Sequence, residues 1–344
     1  MNADFGTAVE VFGFRKLGQR LRTGGLLATT LLGLACGAGD SPIGPEAPAA
    51  SLDPTSYNAS PDSPTVAGNG EEFTSATGMT PSAATSCNTD RTALQFGGFF
   101  EGSTPFSRWS VNEADATPHS HTHSTSVRRE CSGSARIELW KSGPQEGTSY
   151  RSEIKVLQDT ANGGVSVPSG QSVVGKLGTE MWMGWSIYVP SDFVFETKGN
   201  TQETVTQVKA GSSGRGPIWE MQIDKGTFRV ASRWGTTNPA PYAYVGTRPI
   251  TKGAWHDFVL HAKWASGNTG FIEMWMNGTK FVDRHNVPTA FSDWDSMGTH
   301  YLKMGIYKWS WKYTNSIVTK RVLYFDSVRI TNGARGSYGV VAPR

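Results

Sequence analysis

FVLHAKW, Phe258–Trp264, alternates along an extended chain: Phe258, Leu260, Ala262 and Trp264 fall on one side, Val259, His261 and Lys263 on the other. A few residues on, FIEMWMNGTKFV (Phe271–Val282) carries an alternating run into Asn277-Gly278, a two-residue hairpin signal, and a further strand begins. The same period of two recurs at ARIELW (135–140), MWMGWSIYVP (181–190), IWEMQI (218–223), TFRVASRW (227–234) and RVLYFDSVRI (321–330). Gly, Pro, Asn and Ser separate these runs, and no segment shows helical periodicity with a cap at each end. Many short strands joined by polar turns predict an all-β protein, a sandwich or jelly roll, over 90–335, with a C-terminal tail over 336–344.

The composition agrees. Only 18% of the 344 residues are charged while Gly numbers 40, a poor match to a helical bundle, which spends Lys, Glu and Arg on its outer faces. Twelve Trp and 37% hydrophobic residues supply a sizeable core and exclude a fully disordered chain. The net charge of +3 hides a split: residues 37–86 hold six acids and no base, whereas 87–344 carry a net +7.

The N-terminal residues read as an export signal. GGLLATTLLGLA (24–35) follows Arg15, Lys16, Arg20 and Arg22 and is too short to span a bilayer, which takes about 20 residues. It ends in LLGLAC, which resembles a bacterial lipobox with Cys36 as the lipidated residue, although Leu32 stands four positions before the cysteine rather than three. A plain secretory signal is the other reading of 1–36. Both put the chain outside the cytoplasm, the first as a lipid-anchored protein of the bacterial cell envelope. With Cys36 set aside, Cys87 and Cys131 remain for one disulfide, which an exported compartment permits. Residues 37–89 are rich in Pro, Ala, Ser, Thr, Gly and Asp and read as a disordered acidic tether.

Three strands carry unusual chemistry on the face opposite their apolar file. In SYRSEIKVL, Arg151, Glu153 and Lys155 oppose Ile154 and Val156 in parity. In TVTQVKAG, Gln207 and Lys209 oppose Val208 and Ala210. In HYLKMGIYKW, Tyr301, Lys303, Gly305, Tyr307 and Trp309 oppose Leu302, Met304 and Ile306. For any one strand, a solvated face with ladder salt bridges explains the pattern. Together the three files suit a groove for an anionic sugar polymer, aromatic faces stacking on rings and bases holding carboxylates.

These files carry a family resemblance. YRSEIK (150–155) resembles the RSE/RTE strand of alginate-lyase-like jelly rolls, QVK (207–209) falls where that family has Gln-x-His, and YLKMGIYKW (301–309) is similar to its tyrosine strand. GWSIYVPSDF, KGAWHDFVLHAKW, MWMNGTKF and LYFDSVRI extend the likeness to heparin-lyase-I-like and glucuronan-lyase-like polysaccharide lyases, over most of 90–332. The resemblance implies a concanavalin-A-like jelly roll of two curved antiparallel sheets, with a substrate groove on the concave face. It implies β-elimination at a uronic acid: Arg151 and Gln207 neutralise the carboxylate, and Tyr307 protonates the leaving oxygen and in some relatives also takes the C5 proton. Lys209 replaces the family's histidine, which leaves two options, Tyr307 performing both proton transfers or a binding relative with reduced activity. Glu153, Lys155, Lys303, Trp309, Arg215 and His121 are the expected substrate contacts. No cofactor is required, a structural calcium ion is left open, and a monomer is expected.

Other readings fit these residues less well. PHSHTH, with His119, His121 and His123, invites a metal site but is Ser/Thr-rich and reads as a loop over the groove. GSSGRG around Arg215 lacks the Lys-Ser/Thr of a phosphate loop and reads as a lip of the groove. Nucleic acid does not suit an exported chain. A glycoside hydrolase needs two carboxylic acids about 5–10 Å apart, and Glu220 and Glu273 stand isolated in the sequence. A non-catalytic lectin-like domain is the principal alternative, and it needs no Tyr–Arg–Gln constellation.

Overall fold

The computed structural model describes residues 93–114, 118–143, 150–156, 173–199, 201–210, 214–298, 300–312 and 315–344. The leader, Cys36, the 37–89 tether and Cys87 lie outside the described residues; Cys131 is disulfide-bonded.

Alternation produces two antiparallel sheets. The first runs β13 (Thr279–Val287), β12 (Gly270–Met276), β11 (Ala254–Lys263), β6 (Glu180–Val189), β15 (Lys320–Asn332), β4 (Ser134–Trp140) and β3 (His121–Ser124), with β1 (Phe96–Gly98) also paired to β15. The second runs β10 (Tyr242–Pro249), β9 (Thr227–Arg233), β8 (Trp219–Asp224), β7 (Glu203–Ala210), β14 (His300–Tyr307), β5 (Arg151–Val156) and β2 (Ser110–Ala114). This is the two-sheet jelly-roll layout expected from the sequence. Asn277 and Gly278 join β12 to β13 with φ of 49° and 81°, the pair of positive values a type I′ turn demands. Asn277 also caps the neighbouring strand, its Oδ1 accepting from the Asp257 N–H at 2.8 Å.

The core lies between the sheets. Met181, Met183, Trp185 and Ile187 of β6 face Trp219, Met221 and Ile223 of β8 and Leu302, Met304 and Ile306 of β14, all buried. Trp185 and Trp219 meet edge-on across the sandwich at 6.0 Å. Burying each such side chain contributes about 1.5–3 kcal/mol, so the alternating apolar file fixes which face of every strand turns inward.

Two expectations change. PHSHTH does not form a loop throughout: His121–Ser124 is strand β3, at the edge of the first sheet, because its backbone pairs with β4 whatever its side chains prefer. Residues 336–344 are a docked segment rather than a tail. They include a short helix (Tyr338–Val341), the Val341 side chain is buried, and the Arg344 N–H bonds to the Glu130 carboxylate.

Candidate active site

In the second sheet β14 lies between β7 and β5, so the three chemically unusual files are neighbours. The register aligns them. Lys303 stands opposite Lys155 on one side and Gln207 on the other; Tyr301 stands opposite Lys209; Tyr307 stands opposite Arg151. Directly opposed residues share a face, and their partners Ile154, Val156, Val208, Leu302 and Met304 fill the core on the other.

Glu153 is the hub. Its Oε1 accepts from Gln207 Nε2 at 2.6 Å, while Oε2 lies 3.8 Å from Lys303 Nζ and 3.9 Å from an Arg151 guanidinium nitrogen. Glu153, Gln207 and Lys303 are 2%, 4% and 1% exposed although they sit on the sheet's outer face. A carboxylate so buried is retained only with paired charges and hydrogen bonds around it. Its geometric effect is to aim an amide and two cations at one place. Because Glu153 takes one hydrogen of the Gln207 amide nitrogen, it sets which way that amide faces.

Gly305 makes the arrangement fit. Gln207 and Glu153 come from strands on either side of β14 and meet across it, and Gly305, with φ +141°, stands opposite Glu153. A Cβ there would come within 2.2 Å of the Ser152 carbonyl oxygen and 2.7 Å of Glu153 Cα. A side chain would push β5 and its carboxylate away.

Tyr307 is half-buried at the end of β14, with the Arg151 guanidinium 4.4 Å from its ring centroid. Tyr301, near the other end, is buried under Lys155 and Lys303 at 5.0 and 5.4 Å. Lys209 belongs to the Tyr301 end: β7 places Thr204, not Lys209, opposite Tyr307. The lysine and Tyr307 thus flank opposite ends of the cluster.

The remaining expected contacts sit as follows. Trp309 lies beyond the end of β14 in a 3-10 turn (Trp309–Lys312), so strand parity does not govern it. Arg215 sits in a loop, paired with Asp293 and stacked 4.3 Å over Phe291. His121 lies 3.4 Å from the hydroxyl of Ser152, a residue of the core-facing file of β5. Burial is the main cause that lowers its pKa to about 4. His119 packs on Trp140 instead, and the three histidines form no metal-ligating group among the described residues.

Glu220 is not isolated. It stands opposite Gln207 on the same face, accepting from Arg233 at 2.6 Å and from the Thr204 hydroxyl at 2.8 Å. Sequence reading missed this link because it depends on which strands are neighbours.

The chain matches the family model described as polysaccharide lyase over residues 101–329. Among solved structures, the endo-β-1,4-glucuronan lyase of the fungus Trichoderma reesei is similar, with a TM-score of 0.57 and 20% identity over 73% of this chain and 98% of that one. An alginate lyase of Pseudomonas aeruginosa gives a TM-score of 0.41 and 12% identity, covering 70% and 99%. The catalytic domain of a glycoside hydrolase family 131 protein from Coprinopsis cinerea gives 0.44 and 14%, covering 70% and 95%. No relative is found among curated proteins. A family match running from residue 101 to residue 329, over more than half of the chain and through strands of both sheets, makes this protein a polysaccharide lyase of the jelly-roll type.

Proposed function

We propose that this lyase cleaves a uronic-acid-containing polysaccharide by β-elimination at the Arg151–Glu153–Gln207–Lys303–Tyr307 cluster. The observation that carries the reading is the buried Glu153, which holds a guanidinium, an ammonium and an amide on one sheet face beside a tyrosine. The glucuronan lyase among the similar folds supports a uronan as the substrate class.

Elimination requires loss of the C5 proton, which becomes accessible only when the adjacent carboxylate is neutralised and its enolate-like form stabilised. Arg151 supplies charge and Gln207 its second amide hydrogen, with Lys303 behind them. The C5–H bond breaks, a C4=C5 double bond forms, and the C4–O bond to the leaving sugar breaks. Tyr307 delivers the proton to the departing oxygen. With Lys209 at the far end of the cluster, the same tyrosine is the group suited to take the proton from C5. Lys209 and Lys155 then assist by binding carboxylates of the polymer.

Residues 1–36 complete the proposal as an export signal, with Cys36 the lipid-bearing residue of a cell-envelope protein and a Cys87–Cys131 disulfide bracing the start of the domain.

The test is absorbance of the 4,5-unsaturated product with alginate, glucuronan, heparin, heparan sulfate and hyaluronan. Growth of absorbance on one polymer is expected. Binding to a uronan with no unsaturated product from any of the five would overturn the assignment.

A further inference from the structure

The outer face of the second sheet continues past Glu220 into a second constellation. Arg229 and Arg233 come from β9, and Tyr242 and Tyr244 from β10; the register sets Tyr242 opposite Arg233 and Tyr244 opposite Ala231. Ala231 in turn stands opposite Glu220, and Glu220 opposite Gln207, so all share the face of the elimination cluster. Each guanidinium lies over a phenol ring. Arg233 is 4.5 Å above Tyr242, and Arg229 is 3.4 Å above Tyr244.

These groups are held before any ligand arrives. Arg233 bonds Glu220 at 2.6 Å and the Pro217 carbonyl at 3.1 Å, and Arg229 pairs with Asp224. The Tyr244 hydroxyl accepts from Gln202 Nε2 at 2.7 Å and donates to Gln222 Oε1 at 3.4 Å. Tyr244 is nevertheless 36% exposed. An aromatic ring pinned at its hydroxyl and backed by a cation, yet open to solvent, is a preorganised stacking surface, since little rotamer freedom is left to lose. Arg229, the more open of the two arginines, brings a planar donor to the same spot.

We propose that Tyr244 and Arg229 form an accessory subsite for a further uronic acid residue of the same polymer, with Tyr242 and Arg233 as its support. This rests on the uronan-lyase reading above. The sugar's apolar face stacks on Tyr244 and its carboxylate meets Arg229. Strands lie about 4.8 Å apart, so β9 and β10 stand three and four spacings from β14, roughly 14 and 19 Å. The subsite therefore engages sugars beyond those flanking the cleaved bond and gives the enzyme a preference for long chains.

The test uses the full chain, Tyr244→Ala and Arg229→Lys, on the polymer the wild type cleaves best and on its tetrasaccharide. Tyr244→Ala should lower kcat/KM on the polymer severalfold and leave the tetrasaccharide rate unchanged. Arg229→Lys should show a smaller loss with the same chain-length dependence. Equal losses on both substrates, or none on either, would overturn the subsite while leaving the lyase assignment intact. If no uronan yields unsaturated product, that assignment fails separately. The subsite is then tested by gel retardation in alginate and glucuronan: retardation lost in Tyr244→Ala upholds it, and unchanged retardation overturns it.

Discussion

Both sheets display ionisable and aromatic groups on their outer faces, but in different states. On the first sheet, Glu273 bonds Lys280 at 2.5 Å and His261 at 2.8 Å, with Asp283 and His285 alongside. Lys280, Asp283 and His285 are 36%, 58% and 50% exposed. An open depression borders this cluster, lined by Glu180, Trp182, His261 and Asn332 among others. Trp182 is nevertheless taken up, His261 stacking on it at 3.7 Å and Gly336 packing against its pyrrole end. On the second sheet, Glu153, Gln207 and Lys303 are almost wholly buried. Exposed charge ladders dissolve in water at little cost, whereas burying a carboxylate with two cations is expensive and persists where something else is gained. Buried ion pairs occur on the first sheet too, as in Arg329–Glu130; the proposed reactive cluster differs in holding its buried groups beside a half-buried tyrosine, Tyr307.

The largest effect should come from one oxygen atom. Tyr307→Phe keeps the ring under Arg151 but removes the hydroxyl proposed to carry the proton. Loss of a general acid–base group of this kind costs about 10²–10⁴-fold in rate. Initial rates of unsaturated product should fall by that range with KM little changed. A variant retaining wild-type turnover would remove Tyr307 from the reaction and erase the contrast between the sheets.

Glu153→Gln tests the hub. The amide can still accept from Gln207, but Arg151 and Lys303 lose their counter-charge. Leaving buried cations unpaired is destabilising by about 3–5 kcal/mol when a partner is removed outright, and the isosteric change should cost less. Both a lower thermal midpoint and a kcat/KM reduced about 10–100-fold are expected. The readout that separates positioning from simple stability is temperature: activity should stay depressed well below the midpoint, where the variant is fully folded.

The sequence made much of this legible, for a definite reason. Strand parity alone puts Arg151, Gln207 and Lys303 on the face opposite Ile154, Val208 and Met304, and the core obeys that parity. Pairing between distant strands is not written in parity. Nothing local says that Gln207 will reach Glu153 across β14, or that Glu220 will stand opposite Gln207. Parity also fails past an irregularity. The shift between Met304 and Tyr307 and the end of β14 at Tyr307 release Trp309 from the pattern. β10 escaped notice because Pro239 and Pro241 precede it and a bulge between Tyr244 and Gly246 breaks the alternation beyond its two tyrosines.

The contrast between buried and exposed groups extends to histidine. His256 is 2% exposed in the core face of β11, and its Nε2 accepts from the Thr251 N–H at 3.1 Å. Desolvation, the main cause, lowers its pKa from 6.5 to about 4. The unfolded chain takes up a proton near pH 6.5 and the folded one only near pH 4, so stability is complete above pH 6.5 and falls as pH drops through this window. The full drop corresponds to about 3 kcal/mol. His256→Gln keeps an acceptor for Thr251 and cannot titrate. Thermal midpoints at pH 7 and pH 4.5 should lie closer together in the variant, with part of the gap remaining through His121, whose pKa is also lowered to about 4. An unchanged gap would show that acid sensitivity arises elsewhere.

The smallest effect belongs to the exposed cluster. Lys280 joins Glu273 and Asp283 from a side chain that is more than a third open to water. Such pairs contribute about 0–1 kcal/mol, and about 1 kcal/mol moves the midpoint of a domain of this size by roughly 2–4 °C. Lys280→Ala should therefore leave the midpoint within a few degrees and the rate of product formation unchanged, most clearly at high salt, where screening has already weakened the pair. A large loss of turnover in Lys280→Ala would tie the first sheet's outer face to the reaction. The proposal that the reaction belongs to the second sheet's outer face would then fail.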